Sequence, residues 1–177
     1  MQGHKGARIL VATVAHGRTR EAEDALVEAV TGEIRRAGMH LVRTVVVQGV
    51  PEHVRALVSN VSTDNEADAV IFLGGTGIGP DDHVCEALEA LYDKRIDGFG
   101  EAYRRLLRAD LGVTALLARA TAGVFNQCVI FALAGPTENV RLAVEVLIVP
   151  VLADAVALAS GQNVKWRLSG VFKASDP

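Results

Sequence analysis

Apolar residues follow one another almost without interruption at four places in the chain, and these runs predict the strands of a sheet. They occupy residues 7–15, 41–47, 69–73 and 128–133. The first run is rich in β-branched residues, which is typical of a strand covered on both faces. The pattern therefore predicts a buried first strand and three further strands.

Apolar residues that recur every three or four positions predict helices between these strands. The first helix is predicted between Arg20 and Gly38, where a glycine ends the apolar stripe, and the second begins at Pro51. Two further stripes predict a third and a fourth helix; they consist of Val84, Leu88 and Leu91, and of Phe99, Tyr103, Leu106 and Leu107.

A longer apolar stripe after the last strand predicts a final helix. Thr137 is expected to cap its first turn, because a threonine hydroxyl accepts a hydrogen bond from the backbone there. Pro150 is expected to kink the helix, because proline has no N–H to donate. We expect residues 1–160 to form a single domain, followed by a polar tail at 161–177.

Strands that alternate with helices at this spacing predict a three-layer α/β/α fold with a mainly parallel sheet. Parallel neighbours need a crossover connection, and the helices supply it on both faces of the sheet. In such sheets ligands bind beyond the carboxyl ends of the strands. Three loops are therefore candidates for a site: "HGRTR" at 16–20, "GGTGIGPDD" at 74–82 and "AGPTEN" at 134–139.

Composition narrows the classes of function. A chain of 177 residues with 50% hydrophobic content can bury the core of one domain without disulfides. With 5% aromatic residues, a net charge of -3 and scattered arginines, it has no nucleic-acid-binding pattern. Both cysteines lie in apolar segments, and no secretion signal or uncharged stretch of ~20 residues is present. We therefore expect a cytoplasmic protein with no membrane partner.

The glycine-rich loop is the strongest candidate for chemistry. Glycine lets backbone N–H groups come close to a ligand, so Gly74, Gly75 and Gly77 with the Thr76 hydroxyl can form a cradle for anionic oxygens. The loop lacks the Gly-Lys-Ser/Thr ending of a P-loop, and Pro80 stands where a dinucleotide fingerprint has its third glycine. Both of those nucleotide-binding motifs are therefore excluded.

Two acidic residues at the end of this loop have two possible roles. Asp81 or Asp82 can cap the following helix, because carboxylates accept hydrogen bonds from the first N–H groups of a helix. A carboxylate beside a phosphate cradle can instead hold Mg²⁺, which binds through one or two acidic side chains together with nucleotide phosphates. Both roles are compatible on adjacent residues.

Polar residues elsewhere give weaker signals. Arg18 and Arg20 can clamp a phosphate or a carboxylate after the first strand, although exposed loop arginines are usually only solvated. His16 in the same loop can act as a base, but no carboxylate partner is visible in the sequence. Glu101 fits the first turn of a helix, where the helix dipole favours acidic residues.

Three motifs in a fixed order carry a resemblance to a known family. "GGTGIGPDD" followed by "EAL", then "GFGEAYR", then "ARATAGVFNQCVIFALAG" resemble the MoaB/Mog family of molybdenum cofactor biosynthesis proteins. The resemblance extends from about Ala7 to Ala159. It implies a molybdopterin-binding α/β fold that assembles into homotrimers or homohexamers.

The resemblance also implies a reaction: the terminal phosphate of molybdopterin attacks the α-phosphorus of ATP, which gives adenylyl-molybdopterin and pyrophosphate with Mg²⁺. Residues that match the family motifs take the corresponding roles. Asp82 is expected to be catalytic and to bind the metal, and Glu101 is expected to be catalytic. The residues expected to bind molybdopterin or ATP are Gly74, Gly75, Thr76, Gly77, Ala122 and Gly123.

The sequence departs from the family pattern beside the expected pocket, and these departures leave other hypotheses open. Ala15 and His16 replace a Ser-Asp or Ser-Asn pair, and Leu73, Ala118 and Ala134 replace a threonine, a serine and a proline. Loss of several positioned polar groups can abolish turnover while binding survives. A non-catalytic pterin- or protein-binding module is therefore the alternative to the enzyme, and an assembly scaffold whose glycines only turn the chain is a third hypothesis.

Overall fold

A six-stranded sheet forms the centre of the molecule in the computed structural model, which describes residues 6–15 and 19–164. The strands are β1 (Arg8–Ala15), β2 (His40–Gln48), β3 (Ala69–Leu73), β4 (Lys94–Arg95), β5 (Ala120–Phe125) and β6 (Cys128–Leu133). The α-helices are α1 (Arg20–Arg36), α2 (Pro51–Thr63), α3 (Val84–Glu89), α4 (Gly98–Leu111), α5 (Thr137–Ala143) and α6 (Val149–Ala159). A 3₁₀ helix at Gly112–Leu117 follows α4, and a π-helical turn at Val144–Ile148 joins α5 to α6.

The strand order in the sheet is β2-β1-β3-β6-β5-β4. β1 pairs parallel with β2 and β3, and β3 pairs parallel with β6. β5 runs antiparallel to β6, and β4 runs antiparallel to β5. The four strands predicted from apolar runs are confirmed as the parallel part of the sheet, and the mainly parallel three-layer architecture is confirmed with them.

Helices cover both faces of the sheet because neighbouring strand residues point to opposite sides. Ile71 packs with Leu26 of α1 and Leu107 of α4 in one core, on the face that α5 and α6 also cover. Phe72, the next residue of β3, belongs to a second core with residues of α2 and α3, among them Val58. Two buried cores on either side of one sheet explain why its central strands are apolar throughout.

β4 and β5 are the strands that the apolar pattern did not predict. β5 has the sequence ATAGVF, whose small residues do not form an apolar run. A two-residue turn, Asn126 and Gln127, joins it to β6, and both residues have positive φ, 45° and 65°. Such turns match the right-handed twist of a hairpin, which explains a tight antiparallel connection here.

The final helix differs in detail from the prediction. Thr137 is its first residue rather than its cap; Pro136 occupies the cap position and forms no side-chain cap hydrogen bond. The predicted break lies just before Pro150, as a π-helical turn at Val144–Ile148. Because Pro150 has no N–H, the regular hydrogen-bond ladder cannot continue through it, and the preceding turn widens.

The hairpin turn generates a stability prediction. Gln127→Gly should raise the free energy of unfolding by roughly 1 kcal/mol, because a residue with a Cβ is strained at this positive φ and glycine is not. Urea unfolding followed by circular dichroism measures the change. Gln127→Ala is the matched control, since it removes the same side chain but keeps the Cβ, and it should not stabilise the protein. Equal stabilisation by both variants would contradict the backbone explanation.

Candidate active site

The candidate site lies at the edge of the sheet where the parallel strands end. Leu133, the last residue of β6, pairs with Leu73 at the end of β3 and with Ala120 at the start of β5. Residues that are far apart in sequence therefore meet here: the loop after β3, the turn after β6 and the residues that precede β5. This is the edge at which open α/β sheets bind ligands.

The glycine loop after β3 needs glycine for its backbone conformation. Gly74 and Gly75 have φ of +106° and +66°, a backbone conformation that residues with a side chain rarely adopt. A Cβ at Gly75 would lie 2.6 Å from a methyl group of Val84. The carbonyl of Gly75 accepts a hydrogen bond from the Val84 N–H at 3.0 Å, so the loop is attached directly to the first residue of α3.

Beyond Gly74 the loop contains backbone N–H groups that no acceptor in the described part of the chain uses. The Gly74 N–H donates to the carbonyl of Leu133 at 3.0 Å, which extends the sheet by one bond. Within residues 6–15 and 19–164, the N–H groups of Gly75, Thr76 and Gly77 have no hydrogen-bond acceptor. Consecutive unpaired N–H groups in a glycine loop are a site for anionic oxygens.

The Thr76 side chain serves the loop itself. It is only 1% exposed, and its hydroxyl donates to the backbone carbonyl of Arg119 at 2.8 Å. The sequence predicts that this hydroxyl takes part in the anion cradle, but in the structure its hydrogen is used in the bond to Arg119. Its structural effect is to join the glycine loop to the chain that enters β5.

Asp82 lies against the glycine loop. Its Oδ2 accepts a hydrogen bond from the Gly79 N–H at 2.9 Å, and a Cβ on Gly77 or Gly79 would lie 2.5 or 2.8 Å from the same oxygen. Glycine at both positions therefore permits a close approach of the carboxylate. The capping hypothesis is wrong for Asp81 and Asp82, because α3 begins at Val84 and its cap residue His83 forms no side-chain cap bond.

Arg119 is a residue of the site that the sequence analysis did not identify as functional. Its Nη1 donates to the carbonyl of Gly77 at 3.0 Å, and its Nη2 forms an ion pair with the Glu86 carboxylate. Burial alone would raise the pKa of Glu86, but the Arg119 bond and a backbone hydrogen bond bring that pKa below its ordinary value. Both partners lie more than thirty residues away in sequence, so no local pattern indicated them.

Glu101 lies at the same end of the molecule as the loop, without contacting it. The residue is exposed in the first turn of α4, and within the described part of the chain its side chain forms no hydrogen bond or ion pair. The preceding Gly100 packs closely on β5, since a Cβ there would lie 2.8 Å from the carbonyl oxygen of Ala120. The catalytic role of Glu101 stays a prediction from the resemblance.

The structure does not bring Ala122 and Gly123 to the loop. Both are buried inside β5, where they pair with Phe131 and Ile130 of β6. The ring of Tyr92 lies directly over Gly123 and occupies the space that a Cβ would need. This packing explains the glycine, and a role for the pair in binding molybdopterin or ATP rests on the resemblance alone.

The turn after β6 is held by a buried tyrosine. The Tyr103 hydroxyl donates to the carbonyl of Ala134 at 2.9 Å, and a Cβ on Gly135 would lie 2.9 Å from the same hydroxyl oxygen. The departure at Ala134 therefore leaves a fixed turn in place. Of the residues proposed after β1, His16 and Arg18 lie outside the described residues, and Arg20 is the exposed first residue of α1.

Potential metal ligands do not form a cluster in the part of the chain that the structure describes. Within residues 6–15 and 19–164, no three His, Cys, Asp or Glu side chains cluster as potential metal ligands. Burial raises the pKa of the Cys85 thiol, which lies under the loop, to about 12. This thiol therefore stays protonated at neutral pH and is a poor metal ligand.

Comparisons with known proteins agree with the fold and with the resemblance. A family model described as a probable molybdopterin binding domain matches residues 6–154. Molybdenum cofactor biosynthesis protein B of Escherichia coli K12 is 36% identical over 145 residues, which are 82% of this chain and 85% of that protein.

Solved structures show the same relationship. The crystal structure of a molybdenum cofactor biosynthesis protein B superposes with a TM-score of 0.83 at 31% identity, over 91% of this chain and 100% of the other. The molybdopterin biosynthesis enzyme MoaB from Thermus thermophilus superposes with a TM-score of 0.72 at 26% identity, over 90% of this chain and 99% of the other.

Proposed function

Because this chain belongs to the family of probable molybdopterin binding domains, we propose that it binds molybdopterin and adenylylates it with Mg-ATP. The products are adenylyl-molybdopterin and pyrophosphate. A role in molybdenum cofactor biosynthesis is supported by relatives that are named molybdenum cofactor biosynthesis protein B. The adenylyl transfer itself is our inference for this chain.

One observation carries the proposal: backbone N–H groups that have no acceptor among residues 6–15 and 19–164 lie beside a carboxylate, at the edge of the sheet where the parallel strands end. The N–H groups of Gly75, Thr76 and Gly77 are suited to phosphate oxygens. Asp82 lies against the same loop. A site that joins two phosphorylated substrates needs both features, since the N–H groups bind phosphate and a carboxylate can hold the cation that accompanies the nucleotide.

The reaction that follows from this arrangement is a phosphoryl substitution. An oxygen of the molybdopterin phosphate forms a bond to the α-phosphorus of ATP, and the bond from that phosphorus to the oxygen bridging to the β-phosphate breaks. The bond electrons leave with pyrophosphate. The glycine loop would hold phosphate oxygens so that the attacking and leaving oxygens lie in line, and catalysis would come largely from this positioning.

The residues present fit a Mg²⁺ ion that is held mainly by its substrates. Asp82 is the carboxylate that would hold it, and no cluster of three protein ligands lies within the described ranges. Mg²⁺ commonly binds in this way, through one or two carboxylates together with phosphates and water. When bound, it would neutralise the negative charge that develops on the phosphates.

A non-catalytic binding module is the second candidate, and the departures from the family pattern favour it. Two of these departures have structural explanations: Leu73 is buried in the core and Ala134 is held by Tyr103. Ala118 also packs against that core. Ala15 is exposed at the end of β1, and His16 lies outside the described residues. The second candidate therefore depends mainly on these two positions.

The expected homotrimer or homohexamer has a candidate contact surface beside β4 and β5. A groove of about 1000 Å³ lies between α6, the start of α4 and the edge of the sheet at β4 and β5. Val146, Val151 and Leu158 line it and are 43%, 47% and 43% exposed. An exposed apolar surface of this kind marks an interaction site.

We propose that a second copy of the chain occupies this groove. The rim carries both signs of charge, Asp93 and Asp154 beside Lys94 and Arg95, so an identical rim can present the opposite charge to each.

By length and composition the helix Thr137–Ala159 is also apolar enough to cross a membrane, with 28% of its most apolar window buried. A core helix passes the same test, and the inner face of this helix packs on the sheet.

Asp82→Asn tests the proposed chemistry. It should lower the rate of pyrophosphate release from molybdopterin, ATP and Mg²⁺ by roughly a hundredfold, because it removes the charge that would hold the cation. Folding should be unchanged, since the asparagine oxygen can still accept from the Gly79 N–H. Asp81→Asn, at the exposed neighbouring residue, is the matched control. If Asp82→Asn turns over at the parent rate, the assigned role is wrong.

Calorimetry with Mg-ATP separates the enzyme from the binding module. An adenylyltransferase should release or absorb heat as it binds the nucleotide, because its reaction requires both substrates in the site. The binding module should give no heat with Mg-ATP and should bind molybdopterin alone. Titration of the unmodified protein with each ligand in turn therefore decides between the two.

Val151→Asp tests the proposed contact between copies. The parent should sediment as a trimer or hexamer, and the variant as a monomer, because a charge placed in an apolar interface must lose its hydration. Val113→Asp is the matched control, since Val113 is 72% exposed outside the groove. A parent that sediments as a monomer, or that binds phospholipid vesicles through this surface, would overturn the contact between copies.

A further inference from the structure

Arg119 connects three parts of the candidate site that are distant in sequence. Its carbonyl accepts the hydroxyl of Thr76 at 2.8 Å. Its guanidinium donates to the carbonyl of Gly77 at 3.0 Å and pairs with the carboxylate of Glu86 in α3. The glycine loop is thus tied at two successive residues to the start of β5, and through Glu86 to the helix that follows the loop.

Gly77 lies between Arg119 and Asp82, next to both side chains. The carbonyl of Gly77 is held by Arg119, while the Cα of the same residue packs against the Asp82 carboxylate, 2.5 Å from where a Cβ would stand. The carboxylate is further fixed by the Gly79 N–H at 2.9 Å. A shift of Gly77 toward Asp82 must therefore move the carboxylate, since the space between them is too small even for a methyl group.

We propose that Arg119 is a positioning residue of the active site, which holds Gly77 so that the Asp82 carboxylate is presented in one orientation. The inference rests on the proposed function, because Asp82 is the carboxylate assigned to the nucleotide-bound cation. Arg119 acts through the loop, since its hydrogen bonds within the described residues join it to Thr76, Gly77 and Glu86. Its planar guanidinium suits this task, because it donates to two acceptors in fixed directions, whereas lysine offers a single ammonium on a flexible stem.

Arg119 and Glu86 carry opposite charges, and this explains why their ion pair can persist beside a site for anions. Burial lowers the pKa of Arg119, but the hydrogen bond to Glu86 and the nearby acidic groups raise it by more than burial lowers it. The guanidinium therefore stays charged. Glu86 balances that charge and supplies the second anchor. Its own pKa lies below the ordinary value despite partial burial, so the pair remains ionised at neutral pH.

Arg119→Gln is the main test, with Arg119→Lys as the conservative variant and Arg55→Gln as the control. Arg55 lies on α2, where it forms an exposed ion pair with Glu52 in the preceding turn. Arg119→Gln should lower kcat about tenfold and raise the Mg²⁺ concentration for half-maximal activity about tenfold, as loss of a group that orients a metal ligand typically does. Arg119→Lys should fall between this variant and the parent, and Arg55→Gln should match the parent.

A second measurement makes the inference independent of turnover. The hydrogen-exchange rate of the Gly79 amide, measured by NMR, reports whether the Asp82 carboxylate stays on the loop. Arg119→Gln should speed this exchange about fivefold or more while the melting temperature stays within a few degrees, because only local opening is affected. The amide of Val129, in the centre of the sheet, should exchange as in the parent.

The outcomes separate this inference from the proposed function. If the parent releases no pyrophosphate but Arg119→Gln still speeds Gly79 exchange, the adenylyl transfer fails and the positioning role stands. If Arg119→Gln keeps the parent exchange rate at Gly79, the inference is overturned whatever the activity. It is also overturned if kcat falls while the Mg²⁺ requirement is unchanged, because the effect would then not pass through Asp82.

Discussion

The pairing of Leu133 with two strands at once is the constraint on which the site depends. It brings the end of β3 and the start of β5 to the same level of the sheet, one on each side of β6. The glycine loop leaves from the first of these strands and Arg119 precedes the second. A slip of one residue in either pairing would turn the alternating side chains to the wrong face and separate these groups, so the two cores that fix the register also fix the site.

The sequence predicted the parts of the fold that depend on local pattern. Continuous apolar runs identify β1, β3 and β6 because both faces of these strands are covered. β2 was also predicted, although it is an edge strand in which Val46 is 64% exposed. β5 was not predicted, because Gly123 interrupts its apolar pattern. Glycine leaves room there for the ring of Tyr92, and a contact of that kind cannot be recognised from the neighbouring residues in the sequence. The cap at Asp82 was wrong for a related reason: its carboxylate bonds to a loop amide that precedes it, and α3 begins one residue later than capping would require.

Prediction of the site had a different limit. The glycines and Asp82 could be predicted as candidates because the glycine-rich loop and its resemblance to the family motif are visible in the sequence, whereas Arg119 contacts residues 42 and 33 positions away. No pattern in one sequence reports a contact of that kind. Thr76 shows the converse, since its residue type indicated a ligand hydroxyl while its burial and its bond to Arg119 assign that hydroxyl to the loop. Residue type gives possible chemistry, and only three-dimensional contacts decide whether a group is available for it.

The β5–β6 hairpin has a different surface at each end, and this arrangement bears on how binding and assembly relate. Arg119 lies before its first residue, at the edge with the glycine loop, whereas Val124 and the turn at Asn126 line the apolar groove at the opposite end. A strand of six residues spans about 20 Å. The groove also extends to Phe99 and Ala102, which flank Glu101 at the start of α4, so copies that associate through it would approach this predicted catalytic residue. Coupling between assembly and binding would therefore pass through α4 as well as along β5, whose interior is packed by Tyr92 and paired throughout with β6.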